Sequence, residues 1–180
     1  MVAKASSQAE NKSNRSPRIA VIGAGMSGIL TAIKLREAGI TDFTVYEKAD
    51  RLGGTWRENT YPGLSCDVPS HMYRYSFEPN AEWSHRFSPG AEIQAYFEGV
   101  AKKYDVESCI EFNSEITRAM YRDGKWRLEL SNKEGAETVD VVDIIISATG
   151  VLHRPVYPDI AGLDDFAGAV FHSARWDHDV

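Results

Sequence analysis

The feature that most constrains the fold of this 180-residue chain is a glycine-rich turn between a short apolar strand and a helix. Residues 18–22 have the pattern of a buried strand, and Gly23, Gly25 and Gly28 follow in the order G-x-G-x-x-G. Apolar residues then recur at helical spacing as far as Gly39. In such a turn the first glycine permits the tight bend, the second lets a pyrophosphate approach the backbone, and the third lets the helix pack closely. The sequence therefore predicts an α/β, Rossmann-like dinucleotide-binding unit.

An acidic residue stands where this type of unit contacts a ribose. Glu47 closes the second predicted strand, residues 43–47, about 20 residues beyond the glycine turn. The helix that begins near Met26 and Ser27 would direct its free N–H groups at the phosphates. A carboxylate at Glu47 would accept hydrogen bonds from a ribose diol and repel a 2′-phosphate, which predicts FAD or NAD at this site and not NADP. Because a strand-end carboxylate contributes little packing, we expect Glu47→Ala to weaken cofactor binding without unfolding the chain.

A second motif lies in residues 48–88, which show no clean periodicity and are therefore typical of a functional segment. It consists of a glycine pair followed by an aromatic residue, a Tyr-Pro-Gly turn and an aspartate: Gly53, Gly54, Thr55, Trp56, Tyr61, Pro62, Gly63 and Asp67. By itself the motif indicates backbone that approaches a ligand closely, with an aromatic ring covering it. A proline-stiffened surface loop with Trp56 in a small core is the alternative.

The remaining sequence predicts a helix and two kinds of strand. Ser88 and Pro89 are typical of an N-cap and a first helical turn, and an apolar stripe follows them. Segments 116–121, 126–130 and 138–142 predict an inserted antiparallel three-stranded meander. Residues 143–147 have an apolar centre of three isoleucines and predict a central strand of the parallel sheet, which ends at Ala148-Thr149-Gly150.

Composition and charge restrict the possible partners. The net charge is −6 and no basic stripe is present, so the sequence argues against nucleic acid. No run of 18 apolar residues exists, which argues against a membrane span. Residues 1–17 are polar and predict a disordered arm without a signal peptide. Cys66 and Cys109 have no metal-like spacing and predict free thiols in the cytoplasm, with no metal site.

The second motif resembles that of the type I Baeyer–Villiger monooxygenases, which are class B flavoprotein monooxygenases. A third motif at the other end of the chain strengthens the resemblance. Phe166, Gly168, His172, Trp176 and Asp177 match the family fingerprint F-x-G-x-x-x-H-x-x-x-W-[P/D] at every fixed position. The related monooxygenases that oxygenate nitrogen or sulfur usually carry Tyr or Phe in place of the tryptophan. The resemblance therefore favours the Baeyer–Villiger branch and extends over residues 18–180.

The resemblance implies an FAD site, with NADPH bound through a domain outside this chain. It implies that Asp67 lies beside the isoalloxazine and that His172 and Trp176 support coupled turnover, and these three are the predicted catalytic residues. Ile116 matches, loosely, a residue whose backbone contacts adenine. The predicted cofactor-binding residues are Gly23, Gly25, Met26, Ser27, Gly28, Glu47, Gly54, Thr55, Trp56, Tyr61, Asp67, Ile116 and Gly150. The implied reaction uses NADPH and O₂ to convert a ketone into an ester or lactone.

The resemblance also implies a domain organisation. Residues 18–160 are expected to form an FAD-binding domain whose C-terminal return segment is absent, and residues 161–180 a linker toward an NADP domain. No second G-x-G-x-x-G occurs in the 180 residues. We therefore expect part of a longer enzyme, completed by a C-terminal part or a second chain and inactive alone. The alternatives are a monooxygenase that oxygenates nitrogen or sulfur, and a stand-alone FAD-binding module without catalysis.

Overall fold

The computed structural model describes residues 15–152 and 154–180. These ranges contain seven strands, three α-helices and two short 3₁₀ helices. In chain order they are β1 (Ile19–Ile22), α1 (Met26–Glu37), β2 (Phe43–Tyr46), α2 (Thr55–Glu58), α3 (Gly90–Lys103), a 3₁₀ helix (Val106–Cys109), β3 (Ile110–Glu111), β4 (Glu115–Arg122), β5 (Lys125–Ser131), β6 (Glu137–Val142), β7 (Ile144–Ser147) and a second 3₁₀ helix (Ser173–Arg175).

Four strands form a parallel sheet in the order β3-β2-β1-β7. Ile19 of β1 aligns with Phe43 on one side and with Ile144 on the other. The apolar residues of β1 and β2 are buried against α1 and α3, so the predicted Rossmann-like α/β fold is confirmed. The predicted central position of β7 is wrong within the described residues, because β7 pairs only with β1. The apolar side chains of β7 are not fully buried, and Ile144 is 42% exposed.

The three-stranded meander is confirmed as a separate antiparallel sheet, β4-β5-β6. Leu128, Leu130 and Val142 are buried on one face and pack with Ala20 and Tyr46 of the parallel sheet. The alternation along β5 therefore places the apolar side chains against the main body and the charged ones in solvent.

A polar contact also joins the two sheets. Arg18 lies 2.7 Å from Asp140 of β6, and the Tyr46 hydroxyl donates to the same carboxylate at 2.7 Å. Burial and this hydrogen bond raise the pKa of Tyr46 above its usual value. Burial opposes ionisation of Asp140, but the hydrogen bonds from Arg18 and Tyr46 outweigh it and lower the pKa of that carboxyl. The contact holds the end of β2 in place directly before Glu47.

The start of α3 differs from the prediction. Pro89 occupies the N-cap position without a side-chain cap, and the helix begins at Gly90. Ser88 does not cap the helix, because its backbone carbonyl accepts from Cys66 N–H and its N–H donates to the buried Ser70 hydroxyl at 2.9 Å. The predicted proline position at the helix start is correct to within one residue, and the serine instead fixes the preceding loop.

Residues 1–14 of the predicted arm lie outside the described residues. Arg15, Ser16 and Pro17 have no regular structure, and Arg15 pairs with Asp143 at 2.8 Å. Among the described residues, no helix combines the length and apolar character that a membrane crossing requires. The division into residues 18–160 and 161–180 stays a prediction.

Candidate dinucleotide-binding site

A cavity of about 460 Å³ opens at the carboxyl ends of the parallel strands. Ligands of open α/β sheets bind at this edge. The lining comes from the glycine turn, the end of β2, helix α2, the β3–β4 connection and the segment after β7. The residues are Ile22, Gly23, Gly25, Met26, Ser27, Tyr46, Glu47, Lys48, Gly53, Gly54, Thr55, Trp56, Arg57, Glu58, Tyr73, Ser114, Glu115, Ile116, Ala148, Thr149, Gly150, Leu152 and Arg154.

The glycines of the turn are required by close backbone contacts. Gly23 has a φ of +99°, and a β-carbon there would lie 2.9 Å from the carbonyl oxygen of Ala148. A β-carbon on Gly28 would lie 1.9 Å from the carbonyl oxygen of Gly23, so this glycine permits α1 to pack on the turn. Gly28 does not line the cavity. A β-carbon on Gly54 would lie 3.1 Å from Cα of Gly25, so the two glycine motifs meet across the cavity wall.

The N-terminus of α1 faces the cavity through Gly25, Met26 and Ser27. No side chain caps this 12-residue helix, and its first turn carries no acidic residue. The first N–H groups of a helix lack intrahelical acceptors and carry the positive end of the helix dipole. This end of the cavity is therefore suited to an anionic group such as a diphosphate.

Glu47 lies at the end of β2 and is buried, with 4% exposure. Its Oε2 accepts the Ala24 N–H at 2.8 Å, and its Oε1 accepts the Ala49 N–H at 3.0 Å. The guanidinium of Arg57 lies 3.1 Å from the same Oε1, and both side chains are buried. The expectation that Glu47 contributes little packing is therefore wrong, because this buried carboxylate joins the glycine turn, β2 and α2. Since a carboxylate offers about four lone-pair sites, Glu47 retains room for one more donor.

Glu58, also in α2, extends the charged contacts along the wall. Arg57 donates to one of its oxygens, and Arg175 lies 3.0 Å from the other. Burial opposes the ionisation of Glu58, but the hydrogen bond from Arg57 and the charges of Arg57, Arg175 and Lys48 outweigh it and lower its pKa. Glu58 is therefore a carboxylate at neutral pH.

The wall on the side of α2 is aromatic. Trp56 donates its indole N–H to the Tyr73 hydroxyl at 3.0 Å, and the two rings meet edge to face at 5.6 Å. Burial raises the pKa of Tyr73, so its hydroxyl stays protonated at neutral pH. Ile116 and Gly150 line the cavity on the β3–β4 and β7 sides, and their contact with a cofactor stays a prediction.

Besides Gly28, four predicted residues lie outside the cavity lining: Tyr61, Asp67, His172 and Trp176. Asp67 is exposed in the loop that follows the Tyr-Pro-Gly turn. Tyr61 packs against Trp176 at 6.5 Å between ring centroids. His172 accepts the Ala174 N–H at its Nδ1, 3.0 Å away, and its own backbone N–H donates to the Tyr157 hydroxyl. The structure thus brings Tyr61 and Trp176 together but separates both from the glycine turn.

Several lining residues were not predicted from the sequence. Tyr46 and Lys48 flank Glu47, and Ser114 and Thr149 follow strands β3 and β7, so a rule based on strand ends would have identified them. Arg57 and Arg154 carry no such signal. The pairing of Arg57 with Glu47 depends on the fold, which brings α2 against the glycine turn.

The parallel sheet, the glycine turn and the acid Glu47 at the end of β2 define a Rossmann-like α/β fold. The family model described as an NAD(P)-binding Rossmann-like domain matches residues 21–88. This match covers β1, the glycine turn, α1, β2 and the irregular segment that precedes α3.

Longer proteins are similar to most of this chain. The chain is 55% identical over 166 residues to an uncharacterized monooxygenase of Mycobacterium tuberculosis, covering 92% of this chain and 33% of the relative. It is 51% identical over 162 residues to a Baeyer–Villiger monooxygenase of Streptomyces coelicolor, with 90% and 31% covered. The crystal structure of OTEMO in complex with FAD and NADP superposes with a TM-score of 0.79 and 37% identity, over 92% of this chain and 32% of that one.

The chain is therefore similar, over about 90% of its length, to part of a Baeyer–Villiger monooxygenase. The chain spans about a third of the length of the curated relatives that it matches.

Proposed function

We propose that the cavity binds FAD and that the chain is the FAD-binding portion of an NADPH- and O₂-dependent monooxygenase. The observation that carries the proposal is the meeting of the α1 N-terminus, the Gly25–Gly54 approach and the Glu47 carboxylate at one cavity. The solved relative OTEMO, similar over nearly the whole of this chain, holds FAD and NADP. The fold, the donor set and the relative therefore support the same ligand class.

The residues of the cavity are suited to two chemically different parts of FAD, the diphosphate and a ribose. The N–H groups at Met26 and Ser27 would hold the diphosphate, because no side chain or acid competes for them. The remaining lone pair of Glu47 would accept a hydrogen bond from a ribose hydroxyl. When bound, FAD supplies the redox chemistry, and the protein supplies binding, orientation and electrostatics. Trp56 and Tyr73, fixed by their hydrogen bond, would exclude water from one wall.

The same carboxylate favours FAD over NADP at this cavity. A 2′-phosphate beside Glu47 would place two anions together in a buried environment. Arg57 offers no compensation, since its guanidinium already contacts Glu47, Glu58 and the Arg51 carbonyl. We propose that NADPH binds instead through a part of the whole protein outside these 180 residues.

For the whole protein we propose the oxidation of ketones by O₂ to esters or lactones, the reaction after which the Streptomyces coelicolor relative is named. Asp67 is proposed as a catalytic residue on the second motif, His172 and Trp176 are proposed as catalytic residues on the family fingerprint, and residues 161–180 are proposed as the linker. Tyr61 and Asp67 are proposed to reach the cofactor only through rearrangement, because neither lines the cavity. A cytoplasmic location is proposed because Cys66 and Cys109 are free thiols.

Substitution of Gly25 tests the proposed FAD site. Gly25 has an ordinary φ of −78°, and its added β-carbon would lie 3.6 Å from Cα of Gly54, so alanine fits the fold. The methyl group would nevertheless occupy the place where the diphosphate approaches. We expect Gly25→Ala to weaken FAD binding by about tenfold or more, which corresponds to about 1.4 kcal/mol, as measured by titration of flavin fluorescence.

The matched control is Gly99→Ala on the exposed face of α3, where an added β-carbon meets nothing within 4 Å. This substitution should raise stability by about 0.5–1 kcal/mol and leave the affinity for FAD unchanged. Equal affinities of wild type and Gly25→Ala would contradict the proposed diphosphate position, and no binding of FAD by the wild type would contradict the proposed function.

A further inference from the structure

The segment that carries the family fingerprint contacts the last residue of α2 and the loop that follows it. Arg175 Nη1 lies 3.0 Å from Glu58 Oε2, and His178 Nε2 lies 2.9 Å from the Thr60 hydroxyl. Trp176, placed between them in sequence, packs on Tyr61 and on Phe171, with ring centroids 6.5 and 4.9 Å apart. Glu58 at the end of α2, and Thr60 and Tyr61 after it, are thus held by one short segment, which we call the docked segment (residues 171–178).

A network of ion pairs, with alternating positive and negative side chains, connects the docked segment to the cavity. Arg175 contacts Oε2 of Glu58, while Arg57 Nη2 donates to Oε1 of the same carboxylate. Arg57 Nη1 then lies 3.1 Å from Glu47 Oε1. The exposed fraction of the side chains falls along this ion-pair network, from 51% for Arg175 to 24% for Glu58, 8% for Arg57 and 5% for Glu47.

The position of each charged group inside this ion-pair network depends on its neighbours. Arg57 is almost fully buried, and an arginine in that position requires its carboxylate partners. Glu58 divides its two oxygens between Arg57 and Arg175, so removal of Arg175 frees Glu58 to turn toward Arg57 or toward solvent. Either movement alters the contact of Arg57 with Glu47, since hydrogen-bonded charges in a poorly solvated environment respond together.

We propose that Arg175 is a positioning residue for the FAD site, acting through Glu58 and Arg57 on Glu47. The inference rests on the proposed function, because it assigns the Glu47 end of the ion-pair network to the cofactor. By thermodynamic linkage, a docked segment that strengthens FAD binding is itself held more firmly when FAD is bound. The fingerprint segment and the cofactor cavity are therefore coupled through identified side chains.

The first test compares the affinity for FAD of wild type, Arg175→Ala and Arg175→Lys. Arg175→Ala should bind FAD about two- to fivefold more weakly, the range expected of a partly exposed ion pair. Arg175→Lys should recover part of the loss, because lysine retains the charge. Arg127→Ala is the matched control, since it removes one exposed arginine from β5, away from the cavity, and should leave the affinity unchanged.

The second test separates positioning from a general loss of structure. In a double-mutant cycle with Glu58→Gln, the effect of Arg175→Ala should largely disappear, because the carboxylate that it contacts is already neutral. FAD should also slow chymotryptic cleavage at the aromatic residues of the docked segment in wild type, and protect it less in Arg175→Ala.

Additive effects in the cycle, or the same affinity in wild type and Arg175→Ala, would overturn this inference while leaving the proposed function in place. An absence of FAD binding by the wild type would overturn both.

Discussion

At the scale of single residues, Glu47 shows what the sequence predicts and what it omits. Its position at the end of the second strand predicts an acid that faces a bound ribose, and the structure places Glu47 in the cavity wall. Its three contacts within the protein could not be predicted, because Ala24 and Arg57 reach it only after the turn and α2 fold against β2. The site therefore uses one carboxylate both for a proposed ligand contact and for the stability of the turn.

Substitution of Glu47 should accordingly reduce stability as well as binding. We expect Glu47→Ala to lower the free energy of unfolding by about 3 kcal/mol, since loss of one partner leaves a buried charge at Arg57 poorly compensated. Glu47→Gln should cost less, because its carbonyl oxygen can still accept from a backbone N–H. Urea unfolding followed by circular dichroism measures both variants, and unchanged stability of Glu47→Ala would show that Glu58 alone suffices for Arg57.

At the scale of elements, strands and helices with clear periodicity agree with the sequence prediction to within one or two residues. Strands β1, β2 and the meander are such cases, because burial of one or both faces imposes a pattern that the sequence displays. The edge position of β7 was missed because an apolar run reports burial averaged over both faces and carries no information about sheet order. Ser88 was misassigned because its contacts come from Ser70 and Cys66, distant in sequence.

Tyr75 fixes the irregular segment before α3 to α1. Because its hydroxyl is buried, this contact makes the free energy of unfolding vary with pH in the alkaline range. The buried Tyr75 hydroxyl donates to the Met26 carbonyl at 2.6 Å, and burial raises the pKa of Tyr75 above its usual value of about 10. Above pH 10 the unfolded chain binds fewer protons than the folded one. The free energy of unfolding therefore falls as pH rises from about 10 toward the folded pKa, by up to about 1.4 kcal/mol per pH unit for this residue.

Tyr75→Phe should lower stability by about 1 kcal/mol at pH 7, where only the hydrogen bond is lost. Between pH 10 and 11.5 the variant should lose stability less steeply than wild type, since one buried tyrosine no longer resists ionisation. Tyr121→Phe, on the exposed surface of β4, is the control and should reproduce the wild-type slope. Parallel slopes for wild type and Tyr75→Phe in urea unfolding would contradict the assignment.

At the scale of the whole molecule, the glycine turn, the acid at the end of the second strand and the fold were predictable from the sequence. The ion-pair network from Arg175 to Glu47 was not. The first group follows local sequence rules that hold in any Rossmann-like unit. The second joins residues more than a hundred positions apart, and neither composition nor spacing determines such a pairing. The docked segment was predicted to matter from its fingerprint alone, and the structure supplies the contacts through which it could act.

The segment after β7 bears on how these 180 residues behave as an isolated polypeptide. Val151, Leu152, Val156, Ile160 and Phe166 are all more than half exposed, with Val151 at 96%. Apolar side chains exposed in such number are typical of a surface that contacts further protein. The relatives are about three times as long as the matched region.

We expect a polypeptide of these 180 residues alone to bind FAD weakly and to catalyse no ketone oxidation. Each 100 Å² of apolar cofactor surface left in water costs about 2.5 kcal/mol, or nearly a hundredfold in affinity. Hydride delivery needs a second nucleotide site, and the sequence contains one G-x-G-x-x-G, which the proposed FAD site uses. The measurement supplies FAD, NADPH and a panel of ketones and follows NADPH consumption together with ester formation, with the Streptomyces coelicolor relative as the positive control. Ester formation coupled to NADPH consumption by the 180 residues alone would contradict the prediction, because it would require this single cavity to serve both nucleotides.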